Sequence, residues 1–417
     1  MDKDTFCIVP WIHFIVRSTG QVAACCEQSE GIDYGKFQSN IYETANLDGL
    51  KKLRKDLYNG KRSKYCNKCW IAEDKNLNSF RKNYNDLYYK YTNKQFVDSL
   101  TDYNDFSVNK NFKLRYLDIR SSNLCNYKCR MCGIGSSNSW WQFIKDNPKR
   151  EDVKELKSYD HFNDKTGVIE FDLSLLELKE HIPYIEVVNL AGGEPLMLPG
   201  TYKLIEEFIK QNKKDTTWNL ISNTSRLSYG KKNIIDLLSY FDKFRWKMSL
   251  DAIGEAHEYL RSDTSDWNIV YENSQKLIDY RSKNTNMDLD VHSSVSWVGL
   301  YRFYDVWKMY HQTTDYFKMN PVIVPKHMSI DILPRDDLCE ALEFYQKKVI
   351  DHKGERNIGT LEDMVEYLRS TSSQKINAST MTTKAAVKQQ VLFDKQRGTD
   401  LFKTFPEWGH FKKLLDD

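Results

Sequence analysis

The sequence predicts an α/β protein built on a parallel sheet, and three observations carry that reading. First, from residue 113 to about 330, strand-like runs at 114–120, 185–190, 218–222, 245–250, 289–297 and 317–324 alternate with amphipathic stretches such as 202–211, 232–240, 268–281 and 301–311. Such alternation calls for right-handed crossovers and parallel strands. Six strands fall short of the eight of a closed barrel, so an open, partial (β/α)6 barrel is expected, with its chemistry on the loops that follow strand ends. Second, eight of the nine cysteines lie before residue 133, which marks off a small cysteine-rich module at 1–75. Third, residues 331–417 are charged and mostly helical in pattern, most clearly at 335–349, 361–368 and 383–395, and are expected as a C-terminal extension.

Within the module, runs at 11–16 and 21–25 flank Ser18-Thr19-Gly20 and read as a hairpin. Residues 47–58 read as a helix with Leu47, Leu50, Leu53 and Leu57 on one face. Residues 76–112 are rich in Lys, Asn, Asp and Tyr without clear periodicity, and are expected to wrap the surface as a connecting segment before the barrel at 113–330.

A length of 417 residues suggests two or three domains. The charge of 61 Lys+Arg against 58 Asp+Glu leaves +3, too small an excess to imply nucleic acid or a membrane surface as partner. No run approaches the roughly 18 apolar residues of a membrane span. The best apolar stretch, 7–16, is broken by Pro10 and His13 and follows the acidic start Met1-Asp2-Lys3-Asp4, the wrong flank for a secretory signal. A soluble, cytoplasmic protein is expected. In a reducing compartment an odd number of cysteines argues against a disulfide framework and for metal ligands or redox chemistry.

The first barrel strand is followed by Ser121-Ser122-Asn123-Leu124-Cys125-Asn126-Tyr127-Lys128-Cys129-Arg130-Met131-Cys132-Gly133. Three thiolates in one short loop can wrap three corners of an iron–sulfur cube and leave the fourth iron open. The alternatives are unrelated buried thiols or a zinc site completed from a distant part of the chain, since structural zinc requires four ligands and no fourth Cys or His lies nearby in sequence. This Cys-x3-Cys-x2-Cys loop resembles that of the radical S-adenosylmethionine (radical SAM) superfamily, although Met131 stands where the family often has an aromatic residue. The resemblance implies a 4Fe-4S cluster on Cys125, Cys129 and Cys132. Its open iron would bind S-adenosylmethionine for reductive cleavage to a 5′-deoxyadenosyl radical.

Further stretches resemble the family in the right order. Gly192-Gly193-Glu194-Pro195 is similar to its Gly-Gly-Glu-Pro motif, which implies that Gly192 and Gly193 contact the ammonium of S-adenosylmethionine with support from Glu194. Ser222-Asn223 and Ser249-Leu250-Asp251, each at a strand end, imply ribose contacts by Ser222, Asn223, Ser249 and Asp251. Arg261 stands where the family often places an arginine for the methionyl carboxylate. His257-Glu258 is not a zinc-protease motif, because Arg261 occupies the position of the second histidine.

The N-terminal cysteines form a second set: Cys7 with Pro10-Trp11, Gly20-x4-Cys25, and Cys66-x2-Cys69. Four thiolates fit zinc as well as a closed iron–sulfur cube. The set resembles the SPASM auxiliary-cluster module in its shortened twitch form, which implies a second 4Fe-4S cluster on Cys7, Cys25, Cys66 and Cys69. Cys26 competes with Cys25, but neighbours on a strand face opposite ways and the Gly20 spacing selects Cys25. In the family this module usually follows the barrel; here it precedes it.

Cys339 sits in an amphipathic pattern beside Leu338 and Leu342 and reads as a small buried thiol. The basic run Lys51, Lys52, Arg54, Lys55, Lys61, Arg62 and Lys64 reads as a solvated face, open to an acidic reductant of the flavodoxin or ferredoxin type. The expectation is a radical SAM enzyme of oxidoreductase character acting on a peptide or a small metabolite; no residue is singled out as catalytic. The alternative is a non-catalytic iron–sulfur or zinc-binding interaction protein that keeps the fold.

Overall fold

The structure, a computed structural model, describes residues 1–28, 34–74, 78–146, 162–373 and 382–416. The chain divides into two compact units. One holds Met1–Leu124, Phe143–Asn219 and Asp236–Lys243; the other holds Cys125–Gln142, Leu220–Ile235 and Phe244–Asp417.

The first unit contains β1 (Ile15–Arg17), β2 (Val22–Ala23), β3 (Tyr116–Arg120) and β4 (Val187–Leu190), in the order β2-β1-β3-β4. β1 and β2 are antiparallel, whereas β1–β3 and β3–β4 are parallel. The cysteine-rich hairpin is therefore an edge of the sheet, with Val16 opposite Ile119 and Arg17 opposite Arg120. The next strand, β5 (Thr217–Ser222), has its first three residues in this unit and its last three in the other. The second unit continues with β6 (Lys243–Ser249), β7 (Met287–Val295) and β8 (Tyr316–Pro321), in that order and parallel. Phe244, Trp246 and Met248 on β6, with Leu289 and Val291 on β7, are fully buried on one face. The alternate residues Arg245, Lys247, Asp288 and His292 occupy the other face, half-buried.

All six expected strands are present with ends shifted by no more than three residues, in an α/β arrangement with a mostly parallel sheet. Three expectations need correction. Residues 11–12 belong to a helical turn, Val9–Ile12, and not to the hairpin's first strand. Pro10 sits at its start, where a missing N–H costs nothing. Residues 76–112 are not featureless: Phe80–Leu87 and Lys94–Leu100 are helices, capped by the side chains of Ser79 and Asn93. At eight and seven residues they are too short for a hydrophobic period to stand out. Finally, Arg54 does not belong to the solvated basic face of the helix Asp48–Tyr58. It is fully buried, and its guanidinium donates to the carbonyls of Phe106 (2.8 Å), Pro10 (3.1 Å) and Ala45 (2.8 Å).

Arg54 thus ties the module helix to the chain on both sides of it. Substituting Arg54→Met strands three buried carbonyls, at about 1–3 kcal/mol for each acceptor left unsatisfied. The urea midpoint of this variant is expected to fall by an amount equivalent to about 3 kcal/mol; a change below 1 kcal/mol contradicts the account.

Candidate functional site

The cysteine loop of the second unit is held by its backbone carbonyls. Ser139 Oγ donates to Cys125 O (2.7 Å), Ser137 Oγ to Tyr127 O (2.5 Å), Arg397 to Lys128 O (2.5 Å) and Trp140 Nε1 to Cys129 O (3.1 Å). Asn138 Oδ1 accepts from the Cys125 N–H at 3.0 Å, and the Arg130 N–H donates to Leu260 O at 2.9 Å. Within the loop, Arg130 is fully buried. Its guanidinium pairs with Asp394 at 2.5 Å, donates to Tyr259 O, Gln390 and Thr399, and lies 3.7 Å from the centre of the Tyr259 ring. The partners Gln390 and Asp394 come from the C-terminal helix Thr383–Arg397. A hydrogen bond from the Cys132 thiol draws the Cys129 thiol down to about 7; burial opposes this and the Arg261 cation assists. The same hydrogen bond and burial push Cys132 up.

Strand ends of the second unit carry further predicted residues, of which Asn223 and, through Arg261, Asp251 reach this loop. Asn223, just past β5, donates to Asn126 Oδ1 at 3.0 Å and lies 4.0 Å from Cys125 Sγ. Ser222 Oγ accepts from the Thr224 N–H at 3.0 Å. Ser249 ends β6, half-buried. Asp251 is buried, accepts from the Ser294 N–H at 2.6 Å, and forms an ion pair with Arg261 whose N–O distance is 2.7 Å. Burial raises the Asp251 carboxyl even so, with Arg261 opposing. Arg261 is itself buried, and another of its nitrogens is 3.9 Å from Cys129 Sγ. Its cation therefore faces a carboxylate and a thiol. His257 is completely buried. Burial, then Arg261, lowers it to about 3.

In the first unit, Gly192 and Gly193 pack on the chain leading into the cysteine loop. Gly192 has φ +121°, and a side chain there would meet Ser122 O at 3.0 Å. At Gly193 a Cβ would lie 2.2 Å from Leu124 O, so no other residue fits without moving the backbone next to Cys125. The Gly193 N–H donates to Ser122 O (2.9 Å) and the Glu194 N–H to Leu124 O (2.7 Å). Glu194 is fully buried and caps the turn Pro195–Met197.

The same unit gathers Cys7, Cys25, Cys66 and Cys69 around one small cavity, together with Tyr65, Arg81 and Tyr84. Cys26 is not in its lining; its thiol is 4.0 Å from Tyr84 OH. Burial pushes the thiols of Cys7, Cys25 and Cys66 up, and the neighbouring cysteines push them further. Cys69 is buried and is raised as well, while Cys7, Cys25 and Cys66 are half-buried, so all four thiols resist ionisation on their own. Beside them Arg81 is buried, with two nitrogens on Glu73 and one on Phe6 O at 2.7 Å. Among the described residues no three His, Cys, Asp or Glu side chains are gathered tightly around one ion-sized point. Cys339 is half-buried, not fully buried, on the helix Arg335–Asp351.

Sequence reasoning missed Asn126, Arg130, Asn138, Asp394 and Arg397. Asn126 and Asn138 flank the cysteines, but nothing in sequence pairs residue 130 with 394, which are 264 positions apart.

Residues 119–293 match the family model described as Radical SAM superfamily, so the chain carries a radical SAM domain. No curated protein matches the chain. Among 19 solved chains that match is a histidine-tagged anSMEcpe with bound AdoMet, 18% identical with a TM-score of 0.38. Another is "Native anSMEcpe with bound AdoMet and Cp18Cys peptide", 15% identical with a TM-score of 0.36. The first match covers 58% of this chain and 62% of the other, less than two thirds of it. The second covers 57% of this chain and 61% of the other. No helix of the described residues is long and apolar enough to cross a membrane.

Two outcomes follow from the site's construction. Asp394→Asn leaves the Arg130 cation buried without its carboxylate, which costs about 3 kcal/mol or more; urea unfolding should show a loss of that size, and an unchanged midpoint removes the brace. The second concerns acid. Burial lowers His13 and His181 to about 4 and His257 and His292 to about 3, against an unfolded value near 6.5. Between those limits the unfolded chain binds more protons, so stability is full above pH 6.5 and falls as the pH drops. Asp290, raised to about 6 by burial, acts in the opposite sense only below that value. The urea midpoint should decline from pH 7 to pH 5, less steeply in His257→Leu; a flat profile rules the histidines out.

Proposed function

We propose that the protein is a radical SAM enzyme of oxidoreductase character with one auxiliary cluster. In this reading Cys125, Cys129 and Cys132 hold a 4Fe-4S cluster with an open iron, and Cys7, Cys25, Cys66 and Cys69 hold a second 4Fe-4S cluster with all four corners ligated. The observation that carries the proposal is the cysteine loop itself. Three cysteines lie in one eight-residue loop, the carbonyls of Cys125, Tyr127, Lys128 and Cys129 are each tied down, and the Cys129 thiol is drawn down by a hydrogen bond from Cys132. When bound, the open cluster and S-adenosylmethionine supply a 5′-deoxyadenosyl radical for hydrogen-atom abstraction, and the second cluster supplies an electron acceptor or a wall for the substrate.

The chain's own residues do the positioning. Gly192 and Gly193 lie close against the backbone of Ser122 and Leu124 and contact the ammonium group of S-adenosylmethionine, with support from Glu194. Ser222, Asn223, Ser249 and Asp251 offer hydroxyl, amide and carboxylate groups suited to a ribose. Arg261 offsets the charge on Cys129 and Asp251, and its remaining N–H groups serve the methionyl carboxylate. The substrate is a peptide or a small metabolite. Exposed Lys52, Lys55, Lys61 and Lys64 offer a landing face to a flavodoxin- or ferredoxin-type reductant of the cytoplasm.

Anaerobic reconstitution should give about eight irons per chain, four for each cluster. Replacing Cys125, Cys129 and Cys132 with Ala should leave about four and abolish 5′-deoxyadenosine release with dithionite. Cys25→Ala should lose the N-terminal cluster and Cys26→Ala should keep it. Zinc in place of half the iron, or no 5′-deoxyadenosine from the unmodified protein, overturns the proposal.

A further inference from the structure

We propose that a cleft at the opposite ends of the same strands, the starts of β3, β4 and β5 in the first unit, is a binding site for a small oxyanion, carboxylate or phosphate, anchored by Arg115. The cleft has a volume of about 380 Å³ and is lined by Lys90, Arg115, Tyr184, Glu186, Lys213 and Asp215 among others. That size falls in the range of about 300–1,000 Å³ typical of small-molecule sites. Just ahead of the strand starts, backbone bonds tie its lining together: the Glu186 N–H donates to Arg115 O at 2.8 Å and the Thr217 N–H to Glu186 O at 2.8 Å.

Arg115 stands out by its surroundings. Its guanidinium lies 4.9 Å from the ring centre of Tyr91 and 5.1 Å from that of Tyr184. Among the described residues it forms no ion pair. The two carboxylates of the cleft are already engaged. Glu186 accepts from Tyr91 OH and pairs with Lys90 at 3.0 Å, while Asp215 pairs with Lys213 at 2.7 Å. Ring contacts use the charge and the flat face of a guanidinium; they leave its in-plane N–H fork for a ligand with two oxygens in one plane. Three cations against two carboxylates leave the lining at +1.

This site does not rest on the proposed function. At about 3.3 Å per residue, Arg115 is about 17 Å from Arg120 along β3, and Cys125 lies five residues further on. It also gives the segment between module and barrel a task, because Lys90 and Leu87 of that segment form one wall.

The test is calorimetric titration of the full chain, at fixed ionic strength, with sodium succinate and separately with inorganic phosphate. Saturable one-to-one binding of at least one is expected, and the tighter of the two assigns the ligand to carboxylates or to phosphates. Arg115→Gln and Arg115→Lys should each weaken it by about tenfold or more, since lysine keeps the charge and loses the fork. If Arg115→Gln fails to fold, as judged by circular dichroism, Arg115→Lys alone decides. Absence of saturable binding to both probes, or equal affinity in Arg115→Lys, overturns the proposal.

Discussion

The interaction on which the candidate site depends is the burial of Arg130 in the middle of the cysteine loop. A cation with no exposed surface is costly unless its charge and its hydrogen bonds are matched. Here Asp394 supplies the charge, and Gln390, Thr399 and the Tyr259 carbonyl supply acceptors. The geometry of the loop is consequently a property of residues more than 250 positions away, and Arg397 adds a second clasp on Lys128 O. A loop this short does not draw its rigidity from its own sequence alone. The C-terminal helix provides it, which explains why a region without any chemical motif matters to the site.

The cysteine-rich module is governed by a different constraint. β1 is only three residues long and could not persist as an isolated hairpin with the two-residue β2. Pairing in parallel with β3 gives it a template, and Arg54 draws the following helix onto the same body through three carbonyls. Placing the module ahead of the first parallel strand in sequence is thus compatible with placing it beside that strand in space.

Electrostatics distinguish the two cysteine sets. The loop set includes one thiol already pulled down by a neighbouring thiol and by Arg261. In the N-terminal set, Cys7, Cys25 and Cys66 are pushed upward by burial and by one another. The first holds one lowered and one raised thiol, because the hydrogen bond that lowers Cys129 raises Cys132. In the second every thiol is raised, first of all by burial.

Much of the architecture was legible in the chain itself. The six strands show because period-two burial and interleaved helices leave a strong pattern, as in the alternation of Phe244, Trp246 and Met248 with Arg245 and Lys247. The cysteine spacings and Gly192-Gly193 show because tight turns and close backbone approach tolerate few alternatives, as the 2.2 Å clearance at Gly193 illustrates. The connecting helices were hidden because eight residues are too few to establish a period, and Arg54 because a basic run looks solvated until its acceptors are known. What the tertiary structure alone decided is partnership: Arg130 with Asp394, Arg261 with Asp251 and Cys129, and Arg115 between two tyrosines. A charged residue's sequence neighbours set its intrinsic chemistry. Whether that charge is buried, paired or left open to a ligand depends on which distant segments fold against it, and local pattern carries no record of that.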